Sequence, residues 1–164
     1  MRLRRAWSSH GKRIVLTNGC FDLIHVGHVR YLCQARAMGD ILIVGLNDDA
    51  SVSRLKGPSR PIVGQNERAE MLAALECVDY VVLFAEDTAS ELVAALQPDI
   101  YVKGGDYGDG GKDLPETGTV RGYGGRIELV PLVAGRSTTD LVQQILDRYS
   151  GQRRDLKAGP GTSQ

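Results

Sequence analysis

A short aliphatic run, followed by a turn with two histidines and a glycine, constrains this chain more than any other feature. Residues 13–16 read Arg-Ile-Val-Leu, which is typical of a buried parallel strand, and apolar residues recur at helical spacing over residues 29–37. The intervening turn therefore joins a strand to a helix. His25 and His28 stand three residues apart at that helix start, so they share one helix face.

This helix start suits an anion. The first turn of a helix leaves backbone N–H groups unpaired and carries the positive end of the helix dipole. Gly27 stands between the histidines and removes a side chain where a phosphate would approach. The pattern therefore indicates phosphate chemistry.

Three other interpretations of the turn remain open. The two histidines could bind zinc together with His10 or a cysteine, although the chain has no Cys-x-x-Cys or His-Glu-x-x-His spacing. Cys20 could be a nucleophile or simply a small buried hydrophobic residue. Each histidine could also be only a structural cap of the helix.

Strand-like and helix-like runs alternate along the chain, which predicts an α/β fold with a Rossmann-like parallel sheet flanked by helices. The predicted strands cover residues 14–17, 41–46, 80–84, 100–103 and 127–130, and the predicted helices cover residues 27–38, 65–77, 88–96 and 138–149. Ligands of open parallel sheets bind beyond the carboxyl ends of the strands. The polar segments that follow the first, second, fourth and last strands are therefore expected to converge on one edge.

The segment Gly19–His28, which reads Gly-Cys-Phe-Asp-Leu-Ile-His-Val-Gly-His, resembles the His-x-Gly-His signature of the nucleotidyltransferase superfamily. Similarity to that superfamily continues in residues 55–61, 66–68, 102–107 and 135–139. In their order and separation these segments resemble the adenylyltransferases that make ADP-heptose from a heptose 1-phosphate. The similarity covers roughly residues 6–147 and implies the fold of that superfamily.

The resemblance implies transfer of AMP from ATP to a heptose 1-phosphate, with Mg²⁺ accompanying ATP and no protein residue assigned to the metal. The implied catalytic residues are His25, His28 and Lys56. The implied nucleotide-binding residues are Thr17, Asn18, Gly19, Phe21, Gly27, Lys103, Gly105, Asp106, Arg136, Ser137 and Thr138. The implied acceptor-binding residues are Asp22, Asn47, Arg60 and Arg68.

Several of these residues have a competing interpretation. Lys56 and Arg60 are expected on a flexible loop that closes over phosphates, but they could belong to a solvated basic loop. Arg68 could only pair with a neighbouring acid. Asp22 could cap the helix or join the magnesium shell, and Ser137 or Thr138 is a natural N-cap of the last helix.

Two alternative functions stay open beside the leading one. The chain could be a cytidylyltransferase, or an adenylyltransferase for another small phosphate ester such as glycerol 3-phosphate. Glycerol 3-phosphate cytidylyltransferases carry an arginine a few residues before the glycine of the Gly135–Thr139 segment, whereas residues 132–134 here are apolar, which favours the heptose-type acceptor. A non-catalytic nucleotide-binding module is the other alternative, and the intact His25 and His28 argue against it.

Composition narrows the partners and the compartment. Twenty basic and twenty acidic residues give no bulk charge that would favour nucleic acid or a membrane surface, and the sequence has no apolar run of membrane-spanning length. Three cysteines at unrelated spacings fit a reducing cytosol, so we expect a cytoplasmic enzyme. The resemblance implies a homodimer that binds ATP and a sugar 1-phosphate.

The chain is expected to form one nucleotidyltransferase domain over residues 1–150, too short to include a sugar kinase as well. Its arginine-rich start is expected to be a solvated end. Residues 151–164, which are polar and rich in glycine, are expected to be a disordered tail.

Overall fold

A computed structural model describes residues 2–105, 114–131 and 137–150. Five parallel strands form one sheet in the order β3-β2-β1-β4-β5, as the alternating pattern predicted. The strands are β1 (Ile14–Gly19), β2 (Ile41–Asn47), β3 (Tyr80–Phe84), β4 (Ile100–Gly104) and β5 (Arg126–Val130). The predicted tail, residues 151–164, lies outside the described residues, so that domain boundary stays a prediction.

Helices connect and flank the strands. In the described ranges they are α1 (Arg2–Ser9), α2 (Val26–Arg36), α3 (Asp49–Lys56), α4 (Gln65–Ala73), α5 (Ser90–Leu96), α6 (Thr117–Gly122) and α7 (Thr138–Tyr149). The four predicted helices correspond to α2, α4, α5 and α7, whereas α1, α3 and α6 were not predicted. None of the described helices combines the length and the apolar character that crossing a membrane requires.

Two of the differences have a visible local cause. The predicted helix over residues 65–77 ends four residues early, at Ala73. The N–H of Ala74 bonds to the carbonyl oxygens of Glu70 and Leu72, and a turn then leads into β3. Helix α3 replaces part of a predicted loop, because the side chain of Asp48 accepts from the N–H of Ser51 at 2.7 Å and caps the helix start. Lys56 therefore lies at the end of a helix.

The expectation of a solvated N-terminal end is wrong for Arg4. Its guanidinium donates to the carbonyl oxygens of Leu96 and Gln97 and pairs with Asp99 at 3.3 Å. The carboxylate of Asp99 also accepts from the N–H of Ile14 at 2.7 Å, so Arg4 attaches α1 to the start of the central strand.

The apolar core has two parts, one on each face of the sheet. One part joins β1, β2 and β4 to α2 and α4 through side chains such as Val15, Leu32 and Leu72. The other joins the opposite face to α5 and α6 through Leu16 and Val93, among others. Burial of both faces explains the continuous aliphatic runs of the central strands.

The strand order shows where along the sheet a ligand-binding crevice is expected. The chain passes from β1 to β2 and β3 on one side of the sheet and then returns to β4 and β5 on the other side of β1. Thr17 on β1 is paired with Val102 on β4, so the two strands end next to each other at this reversal. Open parallel sheets bind ligands in the crevice beyond such a reversal.

Candidate active site

A cleft of about 570 Å³ opens at the carboxyl edge of the sheet, over the ends of β1 and β4. It gathers segments that the sequence placed after separate strands. The predicted site residues that line it are Asn18, Gly19, Phe21, Asp22, His25, Gly27, His28, Asn47, Lys56, Arg60, Lys103, Ser137 and Thr138.

His25 caps helix α2. Its backbone is extended, at φ −140° and ψ 168°, and its Nδ1 accepts from the N–H of Gly27 at 3.1 Å. The neutral ring therefore carries its proton on Nε2. The structural-cap interpretation holds for this residue, and the cap itself fixes the tautomer of its ring.

His28 lies against His25 on one side and Phe21 on the other. The two imidazoles are stacked with their centroids 3.8 Å apart, and the ring of Phe21 meets His28 edge-on at 5.2 Å. Burial and the neighbouring His25 lower the pKa of His28 to about 4, and the backbone of Leu23 only partly opposes them. His28 is therefore a neutral hydrogen-bonding group at neutral pH.

The low pKa of His28 predicts a pH dependence of stability. An ordinary histidine titrates near 6.5, whereas the folded protein protonates His28 only near pH 4. Between these values the unfolded chain holds a proton that the folded protein lacks. The contribution to stability is therefore complete above pH 6.5 and is lost as the pH falls to 4, at up to about 1.4 kcal/mol per pH unit.

Urea unfolding between pH 4 and 7 measures this slope. We expect His28→Asn to flatten the pH dependence of the unfolding free energy, because asparagine does not titrate. His10→Asn is the matched control, since the His10 ring is exposed at the end of α1, and it should keep the wild-type slope. Equal slopes for His28→Asn and the wild type would contradict the low pKa.

The turn before α2 has a constrained backbone. Phe21 has a positive φ of 44°, which is uncommon for a residue with a side chain. Its ring lies over Gly19, where a Cβ would approach the ring to 3.0 Å. The glycine of the motif is therefore explained by the packing of Phe21, which in turn contacts His28.

Thr17 lies beneath the cleft rather than in its lining. It is fully buried, and its hydroxyl is 2.5 Å from the hydroxyl of Tyr31, which donates to the carbonyl oxygen of Val102. Tyr31 also lines the cleft, and the sequence reasoning missed it. It stands three residues after His28 on the same helix face, so helical spacing was a usable signal.

Asp22 is bound by three donors from the segment that follows α3. Its Oδ2 accepts from Arg60 at 2.6 Å, and its Oδ1 accepts from the N–H groups of Ile62 and Val63 at 2.8 and 3.0 Å. Burial would raise the pKa of Asp22, but these hydrogen bonds together lower it below its ordinary value. The helix-capping interpretation of Asp22 is wrong, because His25 caps α2.

Arg68 is fully buried and does not appear among the described residues that line the cleft. Its guanidinium donates to the carbonyl oxygens of Val63 and Cys20 and to the carboxylate of Asp49, at 2.9, 2.5 and 2.7 Å. This matches the alternative in which Arg68 pairs with a neighbouring acid. Its predicted contact with the acceptor stays a prediction.

Lys103, on β4, also lines the cleft. The ammonium of Lys103 donates to Oδ1 of Asn18 at 2.7 Å, and the hydroxyl of Tyr101 donates to the same oxygen at 2.7 Å. Burial lowers the pKa of Lys103, and Glu116 partly opposes that shift. Lys103 and Asn18 thus form one hydrogen-bonded unit at the ends of β4 and β1.

The remaining nucleotide-side predictions fall near the start of α7 and after β4. Ser137 caps α7 in a reciprocal capping box with Asp140, so its predicted N-cap role is confirmed. Gly104 lines the cleft, whereas Gly105 does not appear in its lining. Asp106 and Arg136 lie outside the described residues.

The described residues do not form a protein cage for a metal. No group of three or more His, Cys, Asp or Glu side chains comes together in the described part of the chain, so nothing there supports the zinc interpretation. Of the carboxylates that line the cleft, Asp22 is bound by three donors and Asp87 pairs with Arg54 at 2.7 Å. These two groups do not fit a preformed magnesium site.

Cys20, in the turn after β1, also lines the cleft. Burial raises the pKa of its thiol despite the nearby Lys56 and Arg68. A thiol that resists deprotonation is a poor nucleophile, so the structure does not support a nucleophilic role for the half-buried Cys20.

Three comparisons with known proteins give consistent results. A model of the cytidylyltransferase-like family matches residues 16–144. The bifunctional protein HldE of Syntrophotalea carbinolica is 61% identical over 142 residues, which cover 85% of this chain and 28% of that protein. The bifunctional protein HldE of Pelobacter propionicus is 58% identical over 151 residues, which cover 90% of this chain and 30% of that protein. The chain therefore spans less than a third of the length of these curated relatives.

A solved structure also matches the fold. The lipopolysaccharide core biosynthesis protein from Thermoplasma volcanium GSS1 superposes with a TM-score of 0.59 at 27% sequence identity. The match covers 75% of this chain and 98% of that one. The fold of this chain therefore matches an architecture already observed in a solved structure.

Proposed function

Because the chain belongs to the cytidylyltransferase-like family, we propose that its cleft transfers AMP from ATP to a heptose 1-phosphate, giving ADP-heptose and pyrophosphate. Family membership gives the reaction class, which is nucleotidyl transfer. The two substrates are the proposal. They are supported by the segments that resemble ADP-heptose adenylyltransferases. They are also supported by the sequence identities of 61% and 58% to the two bifunctional relatives.

One observation carries the proposal. The two stacked, half-buried imidazoles at the start of α2 share a cleft with Lys56 and Lys103. Neutral hydrogen-bond donors beside cations are what a triphosphate needs, because its charge must be neutralised while a fixed geometry is kept.

The chemistry requires positioning rather than a covalent enzyme intermediate. An oxygen of the acceptor phosphate forms a bond to the α-phosphorus as the bond from that phosphorus to the oxygen bridging to the β-phosphate breaks. Negative charge builds on the α-phosphate oxygens and on the departing pyrophosphate. In this proposal His25 and His28 donate to those oxygens, and Lys56 balances the charge of the leaving group.

The magnesium ion of the proposal arrives with ATP. Mg²⁺ is usually held by substrate phosphates, water and one or two carboxylates. The cleft carboxylates are already bound, so we assign the metal no protein ligand and no step. The predicted homodimer, the cytoplasmic location and the binding roles of the remaining predicted residues stay predictions.

A pyrophosphate-release assay tests the proposal. ATP or CTP is offered with heptose 1-phosphate or glycerol 3-phosphate, at matched magnesium, and the sugar nucleotide is identified by mass. We expect rapid release only with ATP and heptose 1-phosphate. A mock purification from cells that do not express the protein, carried through the same steps, shows how much release comes from contaminating enzymes.

Each other outcome selects an alternative. Faster release with CTP would make the chain a cytidylyltransferase, and release with glycerol 3-phosphate would change the acceptor. Calorimetric binding of ATP without release in any combination would support the non-catalytic module.

A further inference from the structure

The segment between α3 and α4, residues 57–64, is attached to the turn that precedes α2. Its Arg60 side chain and the N–H groups of Ile62 and Val63 all bind the carboxylate of Asp22. Asp22 is 4% exposed and the side chain of Arg60 is 17% exposed, so the ion pair is shielded from water. Removing one partner of a shielded, hydrogen-bonded pair costs more than removing one partner of a surface pair.

A second contact ties the same two segments together. Arg68, near the start of α4, donates to the carbonyl oxygens of Cys20 in the turn and Val63 in the segment. Residues 20–22 and 60–63 are therefore linked by hydrogen bonds from both the backbone and the side chains. Phe21, between the two anchoring residues of the turn, has the positive φ of 44° that such multiple contacts can hold.

Lys56 is at the end of this arrangement. It is the last residue of α3, and Gly57 follows with φ 100° and no neighbour within 4 Å of where a Cβ would lie. Only three residues separate Lys56 from Arg60, the first anchored residue of the segment. The position of Lys56 in the cleft therefore depends on where Asp22 holds Arg60.

We propose that Asp22 and Arg60 are positioning residues, whose ion pair fixes residues 57–63 against the His25–His28 turn and so sets Lys56 in place over the cleft. The pairing consumes the carboxylate of Asp22, which the resemblance had assigned to the acceptor. The effect on catalysis rests on the proposed function, whereas the effect on the segment does not.

Native-state cleavage by trypsin tests the attachment without any substrate. Trypsin can cut after Lys56, whereas Pro61 blocks cleavage after Arg60. We expect Asp22→Asn to raise the rate of cleavage at Lys56–Gly57, followed by fragment mass, by about tenfold or more, because the segment detaches locally before global unfolding. Asp40→Asn is the matched control, since Asp40 accepts from the N–H of Arg13 outside the cleft and should leave the rate unchanged.

Arg60→Gln tests the same attachment from the other side and should also accelerate that cleavage. It keeps the experiment decisive if the Asp22 variant folds poorly. Unchanged cleavage in the folded Asp22 variant, or in Arg60→Gln, would overturn the proposal, whichever substrates the enzyme uses.

A double-mutant cycle in pyrophosphate release tests positioning against substrate contact. If the pair acts as one unit, each single variant lowers kcat with little change in the KM of the acceptor, and the double variant loses no more than Asp22→Asn alone. Losses that multiply, with a raised acceptor KM in Arg60→Gln, would show Arg60 binding the acceptor and would overturn the positioning role.

Discussion

Replacing His28 with asparagine is expected to lower kcat by about 100-fold or more while changing the affinity for ATP much less. In the proposed reaction the neutral imidazole donates to oxygens on which charge develops in the transition state, so its hydrogen bond would strengthen as the reaction proceeds. Its position is fixed by stacking on His25 at 3.8 Å and by the edge of Phe21. Rapid-quench turnover and calorimetric ATP binding, measured on the same preparation, separate the two effects.

His25→Asn and His10→Asn complete this experiment. Asparagine is a good N-cap, so His25→Asn keeps a group that can accept from Gly27 and removes only the imidazole. A large loss of turnover with an unchanged melting temperature would then show that the imidazole takes part in the reaction and is not only a cap. His10→Asn should turn over like the wild type. Near-normal turnover of His28→Asn would make that residue structural and would contradict the proposed mechanism.

Replacing Arg68 with methionine is expected to lower the free energy of unfolding by about 3 kcal/mol, because an acceptor left without its buried donor costs about 1–3 kcal/mol, while the 45% exposed carboxylate of Asp49 can turn to water. The guanidinium is 0% exposed and satisfies two carbonyl oxygens as well as the carboxylate of Asp49. Methionine fills similar space but donates no hydrogen bond, so all three acceptors lose their partner. Urea denaturation measured by fluorescence gives the difference.

Arg54→Met provides the comparison for Arg68. Arg54 also pairs with an aspartate, but its side chain is 51% exposed and that of Asp87 is 55% exposed. Such a pair contributes about 1 kcal/mol or less. Equal destabilisation by the two substitutions would show that the buried network around Arg68 contributes no more than a surface pair.

Local sequence was sufficient to predict those strands and helices whose residue pattern lies within one short segment. The aliphatic runs predicted all five strands to within two residues at each end, and helical periodicity found α2, α4, α5 and α7. The same regularity failed for α3. Its eight residues are mostly polar and show no clear helical period. The turn-like residues Gly57 and Pro58 favoured a loop, so Asp48 was not recognised as an N-cap.

The candidate site was predictable as a place but not as a set of contacts. Alternation of strands and helices brings the segments after β1 and β4 to one edge of the sheet, whatever the side chains do. Asp22 and Arg60 are 38 residues apart and Arg68 and Cys20 are 48 apart, so no periodicity could indicate that these groups bind one another. Tyr31 and Asp87 were missed because neither belongs to a motif.

The sequence by itself determined the fold class, the strand-to-helix turn with its two histidines, and the family, because each of these is encoded in short segments by residue type and spacing. Only the tertiary structure decided that His28 is neutral, that Asp22 is fully bound and that Arg68 is buried. The protonation state and the hydrogen-bonding capacity of a side chain depend on desolvation and on the donors brought against it, and both are supplied by residues far away in the chain.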